Sequence, residues 1–195
     1  MKNGAKVVAG VLIGIGAIML VFVFWFFGTR NNLVSLKEDV EMQQSQVETT
    51  LQRRSDLIPN LVETVKGYTD HEEAVFTEIA DARSKLAGSI SSGDMEAIAE
   101  ANSELDSALG RLLAISEDYP DLEASDQFIA LQDELAGTEN RITVARQYYN
   151  ETVRDYNTTV QRFPTSIVAS MSGYYPVEYF EADDDASEVP EVSFD

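Results

Sequence analysis

The sequence predicts an all-α protein: an N-terminal transmembrane helix followed by a long antiparallel up-down helical bundle of about four helices. Three observations carry this. The apolar run from Val7 to Phe27 contains no charged residue. At about 1.5 Å per residue it spans roughly 30 Å, the thickness of a bilayer's hydrocarbon core. Beyond it, apolar residues recur with a helical period of about 3.5 and almost nothing alternates as a strand does. Proline stands only at Pro59, Pro120, Pro164, Pro176 and Pro190, and the first three fall where the periodic pattern restarts.

The first element is the anchor, residues 7–27, after a short tail of residues 1–6. Lys2 and Lys6 resemble the positive region of a signal peptide. The run is longer than a signal core, however, and Trp25, Phe26 and Phe27 follow in place of a small-residue cleavage site. Terminal aromatics suit the membrane interface, so a retained anchor is the expectation. Gly10, Gly14, Gly16 and Ala17 include a small-x-x-x-small pattern that can bring two such helices together. Ordinary membrane-helix composition is the preferred explanation of them.

A bundle domain over residues 31–180 follows. Its first helix is expected from about residue 31 to 57, with Leu33, Leu36, Val40, Val47 and Leu51 as its buried stripe. Pro59 then marks a corner, and Asn60 offers a cap to a second helix. That helix buries Leu61, Val65, Tyr68, Val75, Ile79, Ala82 and Leu86. The stretch GSISSG at 88–93 reads as a hairpin loop. Asp94 caps a third helix of about residues 95–116, with Ile98, Leu105, Leu109 and Leu112 on one face. Tyr119 and Pro120 make the next turn. A fourth helix, about 125–162, places Phe128, Leu135, Ile142, Tyr149, Tyr156 and Phe163 seven residues apart. Small residues between them, such as Thr138 and Ala145, favour close packing in a supercoiled bundle. Residues 166–171 form a last turn, and 181–195 read as an acidic, disordered tail.

Composition removes several function classes. There are 34 Asp plus Glu against 14 Lys plus Arg, a formal net charge of -20, and every acid follows the anchor. Such a domain repels nucleic acid, which is not an expected partner. Cys is absent and His71 is the only histidine, which excludes thiolate chemistry, Cys-based metal sites and multi-histidine sites. Phosphate loops, nucleophile elbows, metalloprotease helices and dinucleotide fingerprints are missing. No cofactor, metal site or catalytic residue is therefore expected. Lys2 and Lys6 before the anchor nearly balance Arg30 and Lys37 after it, leaning slightly towards a bundle outside the cytoplasm.

Three motifs stand out. Residues 53–72, RRSDLIPNLVETVKGYTDHE, gather Arg53, Arg54, Asp56, Pro59, Asn60, Lys66, Tyr68, His71 and Glu72 around the expected corner. One reading makes Asp70, His71 and Glu72 an ion-responsive or catalytic centre. The other is a polar seam holding the corner, favoured because one histidine without a nearby nucleophile has little to work with. The pattern YYN-x5-YN sets Tyr149 with Asn150 and Tyr156 with Asn157, one heptad apart. It reads either as a ligand groove or as polar residues fixing helix register, and the second is preferred. Around Tyr119 and Pro120, crowded acids lack the spacing and glycine of a calcium loop.

At these residues the sequence resembles the LemA family. The likeness covers about residues 33–180. It is carried by Arg53, Arg54, Asp56, Pro59, Asn60, Lys66, Gly67, Tyr68, His71 and Glu72. A second block adds Tyr119, Pro120, Asn140, Arg141, Ala145, Arg146, Tyr149, Asn150, Tyr156, Asn157, Phe163 and Pro164. The resemblance implies a membrane-anchored helical bundle, mostly bacterial, with no known catalytic activity and a poorly defined role. It implies a relative associated with magnetosome membranes and a short N-terminus outside the cell, opposite to the charge count. The function expected is a non-enzymatic scaffold with the lipid bilayer, an unidentified protein and a second copy as candidate partners.

Overall fold

The computed structural model describes residues 2–69 and 71–180, with side chains from Gly10 onward. Asp70 and the acidic segment 181–195 lie outside the described residues. Six helices and no strand occur among the described residues. They are α1 Lys2–Lys66, α2 Glu73–Ser92, α3 Met95–Ser116, α4 Pro120–Glu123, α5 Asp126–Gln161 and α6 Thr165–Ser172. The all-α bundle expected from periodicity is what the chain forms. It divides into two compact units, Met1–Glu41 with Thr152–Val177, and Met42–Glu151 with Glu178–Asp195.

In the first unit α1 carries the apolar run without a break at Gly28 or at Asn31. The most apolar window of the helix has a mean hydropathy of 2.6, and none of it is buried. Phe22, Trp25, Phe26 and Phe27 cluster at its end, with ring centroids 5.7 to 6.4 Å apart. Farther on, Leu33 and Val40 are buried, as are Val153, Tyr156 and Val160 of α5 and Val168 and Ala169 of α6. Phe163, expected in the α5 stripe, is instead exposed. It lies beyond the last residue of α5, in the turn before α6, so the heptad no longer sets its direction.

In the second unit the core comes from Val47, Leu51, Ile58, Leu61 and Val65 of α1, Ile79, Ala82 and Leu86 of α2, most apolar residues of α3, and Phe128, Ile142 and Tyr149 of α5. Thr138 and Ala145 are buried between them, the small positions that let α5 pack closely. The α2–α3 hairpin is tighter than the sequence suggested. Residues 88–92 are helical, and only Gly93 turns, at φ 71°. Its N–H reaches the carbonyls of Ser89 and Ile90, and a left-handed residue here favours glycine. The Gln44 side chain donates to the Gly93 carbonyl at 3.0 Å. Asp94 caps α3 as expected, accepting from the Ala97 N–H at 3.1 Å.

The corner expected at Pro59 is not there. α1 runs through Pro59 to Lys66, and Asn60 sits inside the helix rather than capping one. Proline removes the N–H that would bond the carbonyl four residues back, which belongs to Ser55. Ser55 is only 1 % exposed, and Arg83 Nε of α2 donates to that carbonyl at 3.0 Å. A side chain from a neighbouring helix thus replaces the missing backbone donor. The turn falls instead at Gly67, where the N–H groups of Gly67 and Tyr68 bond back to the Thr64 and Val65 carbonyls. Tyr68, expected in the buried stripe, is outside the helix and exposed.

Candidate functional site

The densest polar feature of the second unit is built on Arg54. The sequence Arg53–Arg54–Ser55–Asp56 lies inside α1, about three turns before its end, so successive side chains point about 100° apart. Arg54 and Ser55 turn inward; Arg53 and Asp56 turn out. Arg54 is 7 % exposed. Its Nη1 donates to Asn102 Oδ1 at 3.1 Å and lies 3.0 Å from Glu139 Oε2, and its Nη2 pairs with Asp106. Asn102 Nδ2 in turn donates to Asp106 Oδ2 at 2.9 Å, one turn along α3. One guanidinium therefore ties α1 to α3 and α5. Two carboxylates against one guanidinium leave the node with a net negative charge.

The node borders a groove of about 310 Å³ lined by Leu61, Leu109, Leu113, Leu135 and Glu139. Arg54 Nε is buried there without an acceptor. The Glu139 Oε2 contact satisfies charge but not hydrogen-bond direction. Outside the node, Arg53 bonds Glu134 at 2.5 Å, and Arg141 approaches the same carboxylate at 3.9 Å. Asp56 accepts from Gln52 at 2.9 Å.

The paired Tyr–Asn motif has a different job from register alone. In the second unit, Asn150 makes both possible amide bonds to one backbone residue: Nδ2 donates to the Phe180 carbonyl and Oδ1 accepts from the Phe180 N–H, at 2.9 and 2.8 Å. Tyr149 Oη donates to the Glu178 carbonyl at 2.9 Å. Phe180 is 2 % exposed, and the Arg146 guanidinium lies 4.5 Å from its ring centroid. In the first unit the pattern repeats. Asn157 bonds the Val177 N–H and carbonyl, each at 2.8 Å, and Tyr156 Oη donates to the Tyr175 carbonyl at 3.0 Å. Each asparagine imitates a neighbouring β-strand for an extended residue. Burial pushes the Tyr149 phenol up to about 12, helped by the charges of Glu178 and Glu48. Burial also raises Tyr156, with Tyr174 and Glu41 adding to it.

The residues around His71 do not converge. His71 and Tyr68 are exposed. Glu72 is half-buried and accepts from Tyr119 Oη at 3.5 Å, a bond between the start of α2 and the turn before α4. Lys66 lies 3.3 Å from Glu63 and 5.4 Å from the Phe76 ring centroid. Pro120 opens α4 at its first position. Among the described residues, no three His, Asp or Glu side chains are grouped to hold a metal ion.

An exposed apolar run in α1, a helical bundle and a buried arginine node define a membrane-anchored bundle protein, a single-pass membrane protein by its N-terminal helix. The chain belongs to the LemA family, whose model matches residues 43–194. It is similar to magnetosome protein MamQ 2 of Paramagnetospirillum magneticum, 28% identical over 176 residues, covering 77% of this chain and 64% of that protein. Magnetosome protein MamQ of Magnetospirillum gryphiswaldense is 27% identical over 187 residues, covering 83% of this chain and 68% of the relative. Protein LemA of Metamycoplasma hominis is 27% identical over 175 residues, covering 90% and 77% respectively. The chain thus spans less than two thirds of the first of these relatives.

Proposed function

We propose that this protein is a non-enzymatic, membrane-tethered helical module that presents its bundle to a protein partner. One observation carries the reading: the polar side chains that these motifs bury are committed to internal contacts. Arg54 joins α1, α3 and α5, and Asn150 and Asn157 hold extended backbone. Groups used this way stabilise a surface rather than transform a substrate. Self-association through the anchor is part of the proposal. At Gly10 and Gly14 an added Cβ would meet nothing within 4 Å, so that face is open to a second helix. Cross-linking in native membranes is expected to give dimers that Gly14→Ile removes; monomer alone would count against it.

Proximity labelling from the C-terminus in living cells tests the module reading and is expected to return a reproducible set of membrane neighbours. The competing reading, an ion-responsive or enzymatic centre at Asp70, His71 and Glu72, makes a different demand. His71→Ala is expected to leave both neighbours and phenotype unchanged. Loss of the phenotype with unaltered thermal stability would transfer the function to that centre.

A further inference from the structure

The segment 163–177 differs from everything around it. In a chain of net charge -20 it holds no charged residue. Within it, α6 buries Val168 and Ala169 on one side. The opposite side is apolar too: Ile167 is 49 % exposed and Met171 72 %, one turn apart. Phe163 before the helix is 77 % exposed and Tyr175 after it 67 %, so exposed apolar side chains flank α6 at both ends. A soluble helix turns mainly polar residues outward, and this one turns out Ile167 and Met171 beside Ser170.

The first unit also contains the anchor end of α1. Large side chains from Val11 to Phe24 are all exposed there. Cover on α1 begins at Trp25, Phe26 and Thr29, which are half-buried, and is complete at Leu33. Leu33 is about 12 Å of helix from Trp25. The rest of this compact unit is residues 152–177, the end of α5 with α6, so the unit that carries α6 also carries the aromatic cluster that marks the bilayer surface.

We propose that α6 is an interfacial membrane helix, with Phe163, Ile167, Met171 and Tyr175 seated among lipid headgroups and upper acyl chains beside the anchor. The occupant is the bilayer itself, continuous with the surface the anchor already crosses. With no charge on the segment, attraction to anionic lipid plays no part. Insertion depth is set by apolar area and the two aromatics. The contact would fix the bundle's first unit against the membrane rather than leave it swinging from one helix. This inference rests on the single-pass reading of α1.

The absence of cysteine makes a clean test. Full-length protein carrying one of Phe24→Cys, Thr158→Cys, Ile167→Cys or Met171→Cys is labelled with an environment-sensitive fluorophore. It is then placed in phosphatidylcholine nanodiscs containing nitroxide-labelled lipid. Thr158 is exposed on α5 and serves as the aqueous control. Labels at 24, 167 and 171 are expected to be quenched at least about threefold more than at 158, as insertion of ~5–10 Å requires. Exchanging neutral for anionic lipid is expected not to increase quenching, since the segment is uncharged and the chain carries -20. Adding Met171→Glu to the Ile167→Cys protein is expected to return quenching to the control level, with unchanged circular dichroism showing an intact fold. Quenching at 24 but control values at 167 and 171 would refute the interfacial helix alone. Control values at all three would refute the anchor with it. Shielding at 167 and 171 that followed the number of copies per disc rather than the lipid quencher would mean a second copy covers them, and would also overturn the proposal.

Discussion

Pro59 sits inside a continuous helix because Arg83 supplies the hydrogen bond that proline cannot, and this dependence is measurable. Arg83→Met keeps most of the stem and removes the donor. The Ser55 carbonyl, in a residue 1 % exposed, then has neither a backbone nor a side-chain partner. Leaving a buried acceptor unmet costs about 1–3 kcal/mol. The second bond, from Arg83 Nε to Ser55 Oγ at 3.3 Å, is long and adds a few tenths at most by the same reasoning. Pro59→Ala restores the N–H, so Ser55 regains an ordinary helical partner. In that background Arg83→Met is expected to cost less by about 1–2 kcal/mol, the fraction belonging to the orphaned carbonyl. Pro59→Ala alone is expected to stabilise, by less than the ~3 kcal/mol of an uncompensated helical proline. Denaturation of the four full-length proteins in nanodiscs, followed by circular dichroism, gives the cycle. An Arg83→Met cost equal in both backgrounds within about 0.3 kcal/mol would refute the reasoning.

Other outcomes follow from the same contacts. Arg54→Met is expected to destabilise by about 2–3 kcal/mol, below the 3–5 of a fully buried pair because Asp106 and Glu139 keep 40 % and 43 % of their side-chain surface in solvent. A thermal midpoint lowered by roughly 5–10 °C checks it. Asn150→Ala removes both bonds to Phe180, and amide hydrogen exchange at Phe180 is expected to speed up at least about tenfold while exchange in α3 stays unchanged. Tyr149 titrates near 12 in the folded chain against an ordinary 10. Its stabilising share is therefore complete below about pH 10 and is lost as pH rises through about 12. Spectrophotometric titration is expected to show a phenol near 12 that Tyr149→Phe abolishes.

Much of this was legible along the chain. The anchor, the all-α class, the α3 boundaries and the Asp94 cap follow from hydropathy, period and a side chain three residues from its partner. The α5 heptad puts Phe128, Ile142, Tyr149 and Tyr156 in the core, with Leu135 half-buried at the groove, since one face repeats as long as the helix lasts. Reading Pro59 as a corner failed because local rules weigh the lost N–H without the arginine 24 residues on that replaces it. The loop at 88–93 failed in a smaller way: glycine and serine lower helix propensity, but packing of α2 on α3 carries the helix to Ser92. The YYN-x5-YN pattern was visible, yet its purpose lay in the backbone of 175–180. Backbone atoms leave no residue-type signal in a sequence.

Neighbours within a turn or two along the chain are enough to specify a membrane-crossing apolar helix, amphipathic helices behind it, and the residue types at their seams. Tertiary structure alone decided which polar groups meet. It placed Arg54 between α1, α3 and α5, gave Ser55 a donor from α2, bound Phe180 to Asn150, and turned Phe163 outward with Ile167 and Met171. The physical reason is that periodicity records which face is buried, whereas a hydrogen bond or ion pair depends on the position of one partner far along the chain.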